Sequence, residues 1–170
     1  FSAGGAVYSG TGVIGAGGGA NNSVLVDNAT WSNSANLYIG SSSSNNLIIT
    51  NGGTVYSTSF NDGIGFSGGS GNSVLITTNS SWVNASGDLY IGNGGSNNSL
   101  TINGAGASLV NGGTIYVGNA GKQDALIVAN GGAISNNSPI TLQGTSNVLN
   151  VGRLGSNDTA GSLGSGAITF

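Results

Sequence analysis

Three short apolar patches recur along this chain in fixed phase, and that recurrence limits the fold more than any other feature. The first reads Val24-Leu25-Val26, Leu47-Ile48-Ile49, Val74-Leu75-Ile76, Leu100-Thr101-Ile102 and Leu126-Ile127-Val128, with starts 23, 27, 26 and 26 residues apart. The second centres on Trp31, Val55, Trp82, Leu109 and Ile134. The third ends in Ile39-Gly40, Ile64-Gly65, Ile91-Gly92 and Val117-Gly118, with Ile14-Gly15 before it and Leu142-Gln143 after. A period of this size signals a solenoid, in which one unit cannot bury its own face and stacking supplies the core.

Each patch is a few residues of Val, Ile, Leu, Tyr, Trp or Thr bounded by Asn, Gly and Ser. That is strand-and-turn chemistry, with no 3.6-residue periodicity. Antiparallel hairpins would use the same strands, but three patches in fixed phase are what superposed coils require. The expected fold is therefore all-β, a right-handed parallel β-helix of about six coils, each of roughly 26 residues with three short strands. It would occupy residues 1–170 as a single solenoid segment, with 152–170 a more irregular C-terminal coil.

Alternation along a strand assigns the faces. Val24/Val26, Leu47/Ile49, Val74/Ile76, Leu100/Ile102, Leu126/Val128 and Leu149/Val151 should point inward. Trp31 and Trp82 should fill the corner that Val55, Leu109 and Ile134 fill with smaller groups. Gly and Asn at Asn51-Gly52-Gly53, Asn111-Gly112-Gly113 and Asn130-Gly131-Gly132 should supply positive φ at the turns. Stacked Asn side chains should bond from coil to coil.

Composition narrows the chemistry. The chain has 170 residues, a net charge of −3, and no His, Cys, Met or Glu. Two basic residues, Lys122 and Arg153, cannot make a phosphate-neutralising surface, so nucleic acid is not an expected partner. No stretch approaches the roughly 20 apolar residues of a membrane helix, so no membrane insertion by this segment is expected. The chain opens on Phe1 without an initiator Met and so reads as a mature product or an excised segment. Missing His and Cys exclude Ser-His-Asp triads, thiolate sites and imidazole metal sites.

The remaining candidates for catalysis are aspartates. Asp62 and Asp88 lie just before the third-patch Ile in successive coils, one residue out of step, where adjacent rungs could hold two carboxylates at retaining-glycosidase spacing. Asn36 and Thr114 take the Asp88 column in other coils, so both aspartates read better as solvated turn residues. The calcium-loop pattern G-G-x-G-x-D fails, because Gly68-Gly69-Ser70-Gly71-Asn72 leads on to Ser73. Gly17-Gly18-Gly19 precedes no Lys and no helix, so it reads as corner glycines rather than a phosphate loop. Asn-x-Ser/Thr triplets at Asn21, Asn28, Asn79, Asn84, Asn97, Asn136 and Asn157 follow from the Asn- and Ser-rich composition. No catalytic residue, cofactor or metal ligand is assigned, and an enzyme is not expected.

The outward positions are the candidate contact surfaces. Tyr38, Gly63, Tyr90 and Tyr116 take the outward place of the third strand, and Tyr8 and Tyr56 that of the second. Leu25, Ile48, Leu75 and Ile127 form an outward aliphatic row broken by Thr101. Such a row either marks a contact site or lies under another segment. The tyrosines are either ordinary β-face decoration or a strip for surface glycans.

The stretch GNSVLITTNSSWVNASGDLYIGNGGSNNSLTINGAGASLVNGGTIYVGNAG resembles the repeat of type V secretion and PEP-CTERM surface proteins, within the wider group of autotransporter passenger repeats. The tail VLNVGRLGSNDTAGSLGSGAITF resembles the autotransporter-associated β-strand repeat, with its G-x-L-G step before a GAITF-like strand. The resemblance covers nearly the whole chain. It implies a bacterial cell-surface or extracellular protein with a β-helical stalk and an adhesive or structural role.

The ends complete the expectations. Phe1 to Ser9 aligns with Ile49 to Ser57, which puts Phe1 on the last inward position of a first-patch strand. Ala167-Ile168-Thr169-Phe170 looks like the same kind of strand. Neither end carries a charged or helical cap, so Phe1, Ile168 and Phe170 are the candidate contacts for end-to-end self-association. Continuation as further repeats, or a small cap folded from 152–166, would cover them equally.

Overall fold

The structure is a computed structural model that describes residues 1–58, 60–136, 139–152, 159–164 and 166–170. Arg153, Asn157 and Asp158 lie outside the described residues, as do 153–158 and 165 of the 152–166 stretch considered as a cap.

The three patches become three parallel sheets. The first holds Ser23–Asp27, Asn46–Thr50, Ser73–Thr77, Ser99–Asn103, Ala125–Ala129 and Val148–Gly152. The second holds Ala6–Ser9, Thr30–Asn33, Thr54–Ser57, Ser81–Asn84, Ser108–Asn111, Ala133–Asn136 and Ser162–Leu163. The third holds Gly12–Ile14, Leu37–Ile39, Asn61–Ile64, Asp88–Ile91, Ile115–Val117, Ile140–Leu142 and Ile168–Thr169. Each strand pairs in parallel with the strand one coil away, so the chain is a β-solenoid of about six coils. Its one departure among the described residues is the single 3₁₀ turn Phe66–Gly68. No helix among the described residues is long and apolar enough to cross a membrane.

The columns of the core follow the sequence register. Leu47, Val74, Leu100 and Leu126 stack in one, and Ile49, Ile76, Ile102 and Val128 in the next, all essentially inaccessible to solvent. Trp31 pairs with Val55, Val55 with Trp82, Trp82 with Leu109 and Leu109 with Ile134, so large and small groups share one corner. Stacking in phase is what buries them: each rung covers the apolar atoms of the one beneath. Val24 is only half-buried because Phe1 and Ser2 alone underlie its strand. Val151 keeps the inward column but remains 39% exposed, since no further first-sheet strand stacks on it among the described residues.

Two expectations about backbone are corrected. Asn51-Gly52 and Asn130-Gly131 do turn through positive φ, but Gly112 and Gly113 do not. There glycine is needed for close approach: a Cβ on Gly112 would strike Ala85 O, and one on Gly113 would strike Gly87 O and Asp88 Oδ1. The C-terminal tetrapeptide is not a first-patch strand. Ile168 and Thr169 pair with Ile140 and Thr141 and extend the third sheet, after Ser162 and Leu163 have extended the second. These last two strands have two residues each, in keeping with a less regular final coil.

At the other end, Phe1 takes the expected position. Its carbonyl accepts the Asp27 N–H at 2.9 Å and its ammonium donates to Leu25 O at 2.7 Å. The Phe1 ring meets Trp31 edge-on at 5.9 Å.

Candidate functional site

The two aspartates do not form a pair. Asp88 stands opposite Asn61, while Asp62 stands opposite Leu89 and shares a column with Leu37. One residue of offset along a strand reverses the face. Asp88 therefore points outward beside Tyr90, and its Oδ1 accepts the Thr114 N–H at 2.7 Å. Asp62 points into the core and is fully buried, which overturns the reading of a solvated turn residue.

Asp62 sits beneath the indole of Trp82. Its Oδ1 accepts the Leu37 N–H at 2.7 Å, and its Oδ2 accepts the Ser57 hydroxyl. Burial raises its pKa to about 6, partly offset by the bonds from Ser57, Leu37 and Trp82. The Trp82 Nε1–H reaches the Ser57 oxygen at 3.4 Å, so Ser57 links indole and carboxyl. The lower tryptophan repeats the arrangement: Trp31 Nε1 donates to Ser9 Oγ at 3.2 Å, and Ser9 donates to Asn33 Oδ1 at 2.6 Å. Below Trp31 the place of Asp62 is taken by Gly12, where a Cβ would strike the indole.

The most extensive polar construction is a ladder that the sequence reading expected in kind without naming its members. Asn22, Asn45, Asn72, Asn98, Asp124 and Asn147 each lie two residues before the first inward residue of a first-sheet strand. From Asn45 to Asp124 each Oδ1 accepts two donors from the preceding rung. Asn72 Oδ1 takes the Asn45 N–H at 2.8 Å and Asn45 Nδ2 at 3.1 Å. Asn98 Oδ1 takes both from Asn72 at 3.0 Å. Asp124 Oδ1 takes them from Asn98 at 2.8 and 3.0 Å. The ladder also explains the Ile-Gly endings of the third patch. Gly15, Gly40, Gly65, Gly92 and Gly118 have positive φ, and a Cβ on each would strike a ladder side chain of the next coil. The shared phase of Asn and Ile-Gly was the available signal.

On the outer face of the third sheet the tyrosine column is confirmed in place, with one aromatic missed. Tyr90 and Tyr116 stack with ring centres 5.0 Å apart and planes 13° apart. Phe66 folds over Gly63 and stacks on Tyr38 at 4.5 Å, filling the gap that glycine leaves in the column. These rings lie face to face along the solenoid axis, so each spends a face on its neighbour. Burial and the adjacent Asp88 push the Tyr90 hydroxyl above its ordinary pKa. Tyr8 and Tyr56 point outward and are exposed.

The aliphatic row is continuous in register: Leu25 with Ile48, Ile48 with Leu75, Leu75 with Thr101, Thr101 with Ile127. Leu25 is exposed, and the other four are half-buried by their neighbours in the row. Phe1, Ile168 and Phe170 are all exposed. Asn84, one of the glycan-acceptor triplets, is buried in the core. Among the described residues no three carboxylates gather, and no pocket opens on the surface. No protein-family model, curated protein or solved structure matches the chain.

Proposed function

We propose that this chain is a structural and adhesive segment of a bacterial cell-surface or extracellular fibre, of the autotransporter passenger type. What supports the reading is the run of ladder residues from Asn22 to Asn147, each bonded to the next, beside one continuous apolar cluster. At about 4.8 Å per rung these coils make a stiff rod roughly 30 Å long, extendable by more of the same. The buried amides Asn45, Asn72 and Asn98 are spent on holding coil to coil. Self-association would use the outward aliphatic row and the Tyr38, Tyr90 and Tyr116 column laterally, and the exposed Phe1, Ile168 and Phe170 rung on rung. A head-to-tail contact of that kind propagates rather than closes.

A polysaccharide-active β-helix is the rival. Its candidate carboxylates, Asp62 and Asp88, lie on opposite faces of one sheet. Electron microscopy of the purified chain and of its native material is the test, with rods or bundles expected. Replacing Tyr38, Tyr90 and Tyr116 together by Ser should leave the fold intact and reduce bundling or surface adhesion. Unchanged bundling and adhesion would remove the tyrosine column from the reading. Depolymerisation of acidic or neutral polysaccharides by the chain would overturn it.

A further inference from the structure

We propose that Asp124 is held as the neutral carboxylic acid, its proton replacing an amide hydrogen of the asparagine ladder, so that this rung binds its neighbours more tightly in acid. The observation is a mismatch of donors at one rung. In the coil of Asn72, the point above Gly69 is bounded by Gly40 O, Ser42 O and the Asn72 Nδ2. In the coil of Asn147, the point above Gly144 is bounded by Gly121 O, Gly118 O and the Asn147 Nδ2. In the coil of Asp124, the corresponding point above Gly121 is bounded by Gly95 O, Gly92 O and the Asp124 Oδ2. The corner carbonyls that crowd one point together with an amide nitrogen in two coils crowd it together with a carboxyl oxygen in the third.

The rest of the rung is regular. Asp124 Oδ1 accepts both Asn98 donors, as any ladder Asn would. The backbone N–H of Asp124 passes on to Asn147 Oδ1 at 2.8 Å. Within the ladder, Asp124 Oδ2 is the one buried side-chain atom without a hydrogen-bond partner among the described residues; the other such atom, Asn84 Oδ1, lies at the second-sheet corner. Ionised, it would add charge to a wall of acceptors, the costliest arrangement for a buried oxygen. Protonated, it donates to a corner carbonyl or to Asn147 Oδ1, where the missing amide hydrogen would have gone.

Burial raises this carboxyl above the ordinary aspartate value of 3.8, against the two lowering bonds from Asn98. Lys122, two residues earlier on the same turn, is the nearest charged residue in the chain. It is exposed and bridged through its backbone to Ser96 and Thr145. Asn98, Asn147, Gly92, Gly95 and Gly121, which pack against Asp124 from this and adjacent coils, carry no titratable group. With the folded value raised, the stabilising contribution is complete below the unfolded value and is lost as pH rises through the folded one.

The test uses the whole chain in two ways. Carboxyl carbon NMR should show Asp124 still protonated well above pH 4. Thermal unfolding of Asp124→Asn, the residue found at the other rungs, should give a Tm at least about 3 °C above the parent at pH 7, converging at pH 3. A carboxyl that titrates in the ordinary aspartate range, or a Tm difference equal at both pH values, would overturn the proposal. So would a calcium chloride-dependent rise in Tm at pH 7 that Asp124→Asn abolishes, because a cation would then be neutralising Oδ2.

Discussion

Two corners of the coil bury polar side chains, and they solve the same problem differently. At the corner leading into the first sheet, Asn repeats at every rung but that of Asp124, and Asn45 and Asn72 each bond an Asn above and below. At the end of the second sheet the residues are Ser9, Asn33, Ser57, Asn84 and Asn111, and no single bond runs through them. The first corner faces glycine in every coil from Gly15 to Gly118, so its space is constant and one side chain can serve all rungs. The second corner faces Trp31 and Trp82 in some coils and Leu109 or Ile134 in others. Ser stands beneath each indole, where it accepts the ring N–H and leaves room for the ring. Asn84 stands beneath Leu109 and bonds Asn111 directly. Uniform surroundings allow a self-complementary ladder, and variable surroundings force matching between neighbours.

The comparison breaks most readily at an indole. Trp82→Ala should cost about 3–5 kcal/mol in denaturant unfolding, from lost burial and a cavity over Ser57 and Asp62. Tyr90→Ala, on the outer face, should cost well under half of that. Equal costs would refute the assignment of faces.

Asp62 gives the next largest effect. Its pKa near 6, against 3.8 unfolded, means that its stabilising contribution is complete below about pH 3.8 and fades as pH rises through 6. The full difference is about 3 kcal/mol, and Asp62→Asn should flatten that part of the stability–pH curve. An unchanged curve would mean that the carboxyl is ionised at little cost.

The ladder should be less forgiving than the other corner. Asn72→Ala strands the Asn45 N–H and Nδ2 and should cost about 2 kcal/mol. Asn111→Ser, which puts at the second corner a residue already found there at Ser9 and Ser57, should cost about 1 kcal/mol. A reversed order would mean that self-pairing of Asn adds nothing beyond ordinary packing.

Much of this architecture is legible in the sequence, because strands that stack in phase carry their register in the apolar pattern. The inward columns and the corner shared by Trp and smaller residues both follow from it. The misreadings have physical causes. Asp62 reads with Asp88 as a solvated turn residue because the Asp88 column holds Asn36 and Thr114, whereas its one step of offset along the strand exchanges outside for inside. The tetrapeptide from Ala167 to Phe170 reads as a first-patch strand but belongs to the third sheet, because a two-residue strand carries too little alternation to fix a register. Phe66 was passed over because it reaches the aromatic column from a turn, outside the strand pattern. Asp124 shares its column with five Asn residues, yet only the contacts of its outer oxygen set it apart.

The pairing of serine with tryptophan also says what the unit of inheritance is. Val7-Tyr8-Ser9 lies beneath Trp31-Ser32-Asn33, and Val55-Tyr56-Ser57 lies beneath Trp82-Val83-Asn84. The lower member of each pair is the same tripeptide, and the upper member keeps Trp first and Asn third. In this part of the chain the coils are not interchangeable modules, because an indole inherited without its serine would land on a larger Asn and lose its acceptor. Duplication, deletion or grafting here keeps each indole its acceptor only when two adjacent coils move together, although the apolar pattern repeats coil by coil.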